Sequence, residues 1–302
     1  MKYVTLGRTG EEVSRIGFGG FPISAPNHTR GWDPYTQEGR ATAIRTVRRA
    51  VELGINYIDT AAAYGDGHSE SIIGEAISGR RDELFIATKV VLGLDREATV
   101  RSVHDSLRRL GCDHLDLIQF HGGIYTDDVT SHVLEEGPMD ALLELRKQGE
   151  VRFIGATTEE PYSLLPLMRT GLLDVVQIRY NLIYQSAAHH VLDEAREQDI
   201  GVTLMRPLTS GIFQYLAGRL LPELASSGDL YEACLKYVLS DSRVHVPNVG
   251  MRWPEEVEKN VRLVDEFERP FDVAELPRGT NKVYDALDAE TAAEPPAAMN
   301  SN

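Results

Sequence analysis

Cysteine is nearly absent from this sequence, and that scarcity removes several classes of protein at once. The two present, Cys112 and Cys234, are too far apart for a metal-ligand spacing and too few for a disulfide framework. A reducing, cytoplasmic setting is the expected one. Basic charge is also scarce: 31 Lys and Arg face 46 Asp and Glu, for a formal net charge of −15. Such a surface repels nucleic acid and anionic membrane, and no basic run supplies a local exception. Long apolar stretches are missing too, since nothing approaches the roughly 20 consecutive apolar residues of a membrane-spanning helix. The opening MKYVTLGRTGEEVSRIGFGG has no apolar run of signal-peptide length. Neither nucleic acid nor membrane is expected as a partner, and no metal site is expected.

What is present is a repeated alternation. Hydrophobic residues at 42% and charged residues at 25% suit a chain that buries a sizeable core. After KYVTLGRTGEEV, which reads as a hairpin turning at GRTG, eight short apolar runs follow: 15–19, 56–59, 84–89, 115–121, 151–157, 175–178, 201–205 and 244–250. Between them lie stretches such as TAIRTVRRAVELG and ATVRSVHDSLRRLG, whose apolar residues recur every three or four positions and which close on glycine. Eight βα units of nearly continuous apolar strands predict a parallel α/β sheet closed into a (β/α)8 TIM barrel of residues 1–276. A doubly wound open sheet is the rival, but GFGG at 17–20 lacks the third glycine of a dinucleotide fingerprint and Pro22 follows where a helix should open. Residues 277–302 lose apolar periodicity and read as a mobile or surface-draped tail.

In such a barrel the chemistry lies at the C-terminal strand ends. Here those ends carry Asp59, Lys89, His121, the pair Thr157 and Thr158, and Gln177, with Tyr64 in the loop just after Asp59. Taken singly, Lys89 reads as a surface lysine, His121 as a bonded core histidine and Tyr64 as packing, while Asp59 lies too far upstream to cap the helix that begins near Ser69. Together, on strands that share one mouth, they form a constellation. A tyrosine hydroxyl near pKa 10 is a poor proton donor at neutral pH, and a nearby ammonium lowers that value. Lys89 supplies the ammonium, Asp59 keeps it charged, and His121 is placed to donate a hydrogen bond to a carbonyl oxygen. The group is suited to protonating an alkoxide or to the reverse, and because it holds no nucleophile the electrons must come from a cofactor.

At this point the residues resemble a known family, the aldo-keto reductases, which are NAD(P)(H)-dependent oxidoreductases on a TIM barrel. GINYIDTAAAYGDGHSESIIGEAI at 54–77 is similar to its first signature, and IATK, LDLIQFH, GEVRFIGATT and VVQIRYN to its lysine, histidine, Gly-x-Ser-Asn and glutamine strands. The resemblance runs from about residue 2 to about residue 265 and implies Tyr64 as general acid, Lys89 and Asp59 as its tuning pair and His121 as the carbonyl-orienting group. It implies that Thr157, Thr158 and Gln177 hold the nicotinamide carboxamide, and that Leu208 and Gly211 of MRPLTSG pass over the pyrophosphate. Arg252 would meet a 2′-phosphate and Asn260 the adenine, with Gly19, Gly20, Met205, Arg206 and Gly250 as further cofactor contacts. Three departures bear on these roles: Met205 stands where many members place an aromatic residue, Thr-Thr replaces Ser-Asn, and Glu256 takes a position where some members carry a base. NADP(H) is the preferred cofactor, and because Glu256 would repel a 2′-phosphate, NAD(H) is the alternative.

Phe21 is expected as an apolar wall of the substrate pocket, and Trp32 as a substrate contact from the long segment that also holds His28 and Tyr35. The adjacent His189 and His190 cannot share a helix face and read as a solvated helix start. The expected activity is reversible hydride transfer with a small aldehyde, ketone, alcohol or sugar. The alternatives are a cofactor-binding regulatory or redox-sensing subunit with little turnover, and a hydrolase built on Glu159 and Glu160, whose adjacent side chains point apart. Monomer and homo-oligomer are both compatible with the sequence.

Overall fold

The computed structural model describes residues 1–220 and 229–268. Strands β1 (Tyr3–Thr5) and β2 (Glu12–Ser14) pair antiparallel, with Tyr3 opposite Ser14, around a 3-10 turn at Gly7–Thr9. Eight further strands follow: β3 (Gly17–Gly19), β4 (Tyr57–Asp59), β5 (Phe85–Val91), β6 (Leu115–His121), β7 (Val151–Thr158), β8 (Val175–Arg179), β9 (Gly201–Met205) and β10 (Val246–Gly250). Each pairs in parallel with the next and β10 closes on β3, so the sheet is a barrel and the open doubly wound alternative is excluded. All eight coincide with the apolar runs read from the sequence. The expected tail at 277–302, and the last eight positions assigned to the barrel, lie outside the described residues.

Helices cover the outside. They begin where the sequence supplies a cap: Thr36 accepts from the Gly39 amide at the start of α1 (Gln37–Glu52), and Asp95 from the Ala98 amide a turn ahead in a later helix, Arg96–Leu110. Between these two lies α2 (His68–Ala76), which makes the Arg96–Leu110 helix α3. One turn of α1 presents Ala43 and Val47, the next Ala50 and Val51, all buried against the sheet. The outward-facing strand residues, among them Ile58, Ile86, Ile118, Ile154 and Val176, are fully buried beneath these helices. Burying each such side chain contributes about 1.5–3 kcal/mol, which is why the strands read as unbroken apolar runs.

The inward faces are different. Tyr57, Phe85, Leu117, Val175 and Val246 form an apolar floor, sealed from below by Leu6 and Val13 of the hairpin. Gly7 allows that seal, because a side chain there would begin 2.5 Å from the Gly201 amide nitrogen, and its φ of +47° is left-handed. Strand side chains alternate with period two. Asp59, two residues beyond Tyr57, and Lys89, four beyond Phe85, therefore face inward above the floor. By the same count His121 and Gln177 face inward, beyond Leu117 and Val175.

Candidate active site

Four side chains converge above the floor. Lys89, 1% exposed along its side chain, places its Nζ 2.8 and 2.9 Å from the two Asp59 carboxylate oxygens and 2.8 Å from the Thr60 carbonyl. The same nitrogen reaches the Tyr64 hydroxyl at 3.4 Å. Edge-on at 5.6 Å between centroids, the His121 ring meets the Tyr64 ring from the neighbouring side. A fifth group was not foreseen in this role: the Gln177 amide nitrogen donates to Asp59 Oδ1 at 2.9 Å, steadying the carboxylate from across the barrel. No local pattern in the sequence signals that bond, since 118 positions separate the two residues.

Burial pushes the Lys89 ammonium down, but the Asp59 carboxylate and the Tyr64 oxygen more than offset it, and its pKa lies above the ordinary lysine value. Tyr64 departs from the expected direction. Burial raises its pKa, Lys89 pulls it back only in part, and Asp59 adds to the rise, so the phenol stays protonated at neutral pH. Desolvation outweighs one ammonium at 3.4 Å, a balance that depends on burial and is invisible in the sequence.

His121 is neutral. Burial first, and Lys89 second, lower its pKa to about 4. An unfolded chain would protonate it near the usual pKa of about 6.5. Between those values the unfolded state binds more protons, so this group removes stability as pH falls from about 6.5 towards 4. On going from about pH 7.5 to about pH 4.5, His121→Gln should lose about 2.5 kcal/mol less stability than the parent. Urea unfolding midpoints at the two pH values measure this, and equal losses would remove His121 as the source.

Seven of the expected cofactor residues fall into three groups. Met205 ends β9 half-buried at the mouth, and Arg206 follows with a side chain about half exposed, paired with Glu159 at 2.8 Å and close enough to Tyr64 to act on its charge. Leu208 and Gly211 lie in the short turn before the helix Ile212–Leu220. Gly19, Gly20 and Gly250 sit where backbones crowd: a side chain on Gly20 would begin 2.6 Å from Ser69 Oγ, and one on Gly19 3.2 Å from the Gly250 nitrogen. Their smallness serves packing in the first place.

Other expectations need correction. Both threonines are fully buried with their hydroxyls already engaged, Thr157 with the Gly122 backbone and Thr158 with the Gly123 and Glu160 carbonyls. Thr158, one residue out of phase with Thr157, falls on the opposite face of β7. Trp32 is buried in the core rather than open to a substrate. It is 2% exposed, donates to the Pro22 carbonyl at 2.9 Å and packs edge-on against Trp253. Phe21 is 56% exposed, with its ring 5.3 Å from that of Tyr64. His190 stands exposed at the position just before the helix Val191–Glu197, with no side-chain capping bond, in keeping with a solvated helix start.

The corner around Arg252 also differs. Glu256 does not stand free to repel an anion: one oxygen pairs with Arg30 at 3.0 Å and the other accepts from the Arg252 amide at 2.8 Å. Arg30, from the long loop after β3, lies 4.5 Å from the Trp253 ring and near enough to Arg252 to lower its pKa, beneath the larger effect of burial. The buried Nε of Arg252 has no hydrogen-bond partner among the described residues. It lies just before the helix Pro254–Glu266, which carries a half-buried Asn260. An unmatched guanidinium donor beside a helix N-terminus fits a phosphate group.

The family model described as Aldo/keto reductase family matches residues 15–276, and the chain belongs to that family. It is 32% identical over 240 residues to the aldo-keto reductase YhdN of Bacillus subtilis, covering 76% of this chain and 68% of that protein. The holo form of an aldo-keto reductase from Bacillus halodurans superimposes with a TM-score of 0.74 at 26% identity, over 94% of this chain and 96% of that one. An aldo/keto reductase from Klebsiella pneumoniae, solved with NADP and acetate, shares the fold at 24% identity and a TM-score of 0.73, over 92% and 94% of the two chains.

Proposed function

We propose that this protein binds NADP(H) and catalyses hydride transfer with a small aldehyde, ketone or sugar carbonyl, or the corresponding alcohol, using Tyr64 as general acid and base. The observation that carries the reading is Lys89 Nζ bridging the Asp59 carboxylate and the Tyr64 hydroxyl. In reduction, Tyr64 gives its proton to the oxygen that gains charge. The Lys89 ammonium stabilises the phenolate left behind, and Asp59 keeps that ammonium ionised although it is buried. The neutral His121 ring makes no hydrogen bond among the described residues, so a ring N–H is free to orient the carbonyl oxygen. Phe21 supplies an apolar wall beside the tyrosine. In oxidation the same groups act in reverse, with the phenolate accepting the alcohol proton.

Arg252, Asn260 and Arg206 would hold the cofactor's anionic and adenine parts, with Met205 and Gln177 on the nicotinamide side. When bound, the nicotinamide supplies or accepts the hydride. Arg30 contributes by neutralising Glu256, which answers the objection that Glu256 would reject a 2′-phosphate. Titration of the purified protein with NADPH and with NADH, followed by intrinsic fluorescence, tests this directly. NADPH should bind more tightly. Arg252→Ala should weaken NADPH by about tenfold to a hundredfold, the range of one charged hydrogen bond, and leave NADH within about twofold. A preference for NADH would overturn the phosphate grip, and binding of neither would sink the oxidoreductase mechanism.

A further inference from the structure

The signature stretch contains two residues, Glu70 and Gly74, to which the mechanism gives no work. They lie four apart on α2, hence on one helix face. On Gly74 a side chain would begin 2.5 Å from the Arg109 carbonyl oxygen and 2.7 Å from that of Leu110, so its absence lets α2 settle on the last turn of α3. That approach brings Arg109 to Glu70. Arg109 Nε donates to Glu70 Oε2 at 2.6 Å, and the glutamate side chain is completely buried.

Each end of this pair touches a catalytic element. Glu70 Oε1 accepts from the Thr88 hydroxyl at 2.6 Å, and Thr88 immediately precedes Lys89 on β5. At the other end, the Arg109 side chain lies against Gly67, filling the space where a side chain on that glycine would begin. Gly67 closes the turn that follows Tyr64. Three successive residues of that turn are left-handed, Gly65 at φ +62°, Asp66 at +53° and Gly67 at +83°. For Asp66 this conformation costs about 1–2 kcal/mol, so surrounding contacts must hold it.

We propose that Glu70 and Arg109 are positioning residues that lock the Tyr64 turn to the Lys89 strand and so set the 3.4 Å gap between Lys89 Nζ and the Tyr64 hydroxyl. The inference rests on the proposed role of Tyr64. It makes the glutamate and glycine of the signature parts of one brace. Without the brace, the Tyr64 turn relaxes from its left-handed conformation and the hydroxyl moves away from the ammonium. The other charged or titratable groups that act on Tyr64 are Asp59 and Arg206, with the His121 ring beside it.

The test reads Tyr64 directly, without turnover. Protein labelled with 3,5-difluorotyrosine, whose phenol titrates closer to neutrality, is followed by fluorine NMR, and the Tyr64 signal is assigned by its loss in Tyr64→Phe. Arg109→Ala and Glu70→Gln should raise the Tyr64 midpoint by about one pH unit, the change for a gap widened by 1–2 Å at an effective dielectric of about 20. In the same variants kcat should fall about tenfold to a hundredfold, with NADPH affinity unchanged. Arg109→Lys, which keeps the charge but not the fill beside Gly67, should fall between these and the parent. Thr88→Val decides if either first variant fails to fold. A folded variant with an unmoved Tyr64 midpoint would overturn the proposal. A parent protein without turnover on any carbonyl would instead overturn the oxidoreductase reading, and the fluorine titration would still decide for or against the brace.

Discussion

Tyr64→Phe is expected to lower kcat by about two to four orders of magnitude, the contribution of general acid–base catalysis, while NADPH affinity stays within about twofold of the parent. The substitution removes one oxygen. Its ring contacts with Phe21 and His121 survive, because both are made by the aromatic face and edge. What is lost is the 3.4 Å contact to Lys89 and the proton to be given. Because burial holds the Tyr64 pKa above its usual value, the parent's phenol is fully protonated at neutral pH and reduction loses nothing to ionisation there. Steady-state reduction of simple aldehydes, compared with fluorescence titration of NADPH, separates the two quantities. A variant as active as the parent would show that the proton comes from elsewhere, and equal losses in kcat and cofactor affinity would point to a collapsed mouth.

Asp59→Asn has the second large effect, and it acts on stability and activity together. The pair it forms with Lys89 is buried on both sides, at 6% and 1% side-chain exposure. Replacing the carboxylate with its neutral isostere leaves an ammonium in a low-dielectric interior with only the Thr60 carbonyl, the amide oxygen and the tyrosine as partners. Breaking one partner of a buried pair costs about 3–5 kcal/mol, and urea midpoints should show a loss of that order. Lys89→Met combined with Asp59→Asn should recover most of the stability and none of the activity, since removing both charges removes the desolvation problem. The folded lysine has a raised pKa, so the pair's contribution is intact below about 10.4, the unfolded value, and disappears as pH rises through the folded one. A double variant no more stable than Asp59→Asn alone would mean that the pair serves packing rather than charge balance.

Much of this site is legible in the sequence. The run IATK ends a strand on a lysine, LDLIQFH on a histidine and NYID on an aspartate, and period-two alternation places all three inside the barrel with the floor residues Phe85, Leu117 and Tyr57. The same alternation puts the adjacent Thr157 and Thr158 on opposite faces of their strand. Other features had no local signature. Trp32 reads as a loop aromatic and becomes core only because Trp253, from the other end of the chain, arrives beside it. Glu256 reads as a repulsive charge because nothing nearby in sequence announces Arg30, 226 positions earlier, as its partner.

By itself, the sequence determined the order of eight strands, the faces their side chains occupy and the residue types at the barrel mouth. Those properties follow from periods of two and of three to four residues, which are local and act wherever the segment lies. Tertiary structure alone decided the Gln177 bond to Asp59, the upward direction of the Tyr64 pKa, the neutralisation of Glu256 and the Glu70–Arg109 brace. Each of these depends on distance and burial between residues far apart in the chain, and both are created only when the barrel closes and its loops pack against one another.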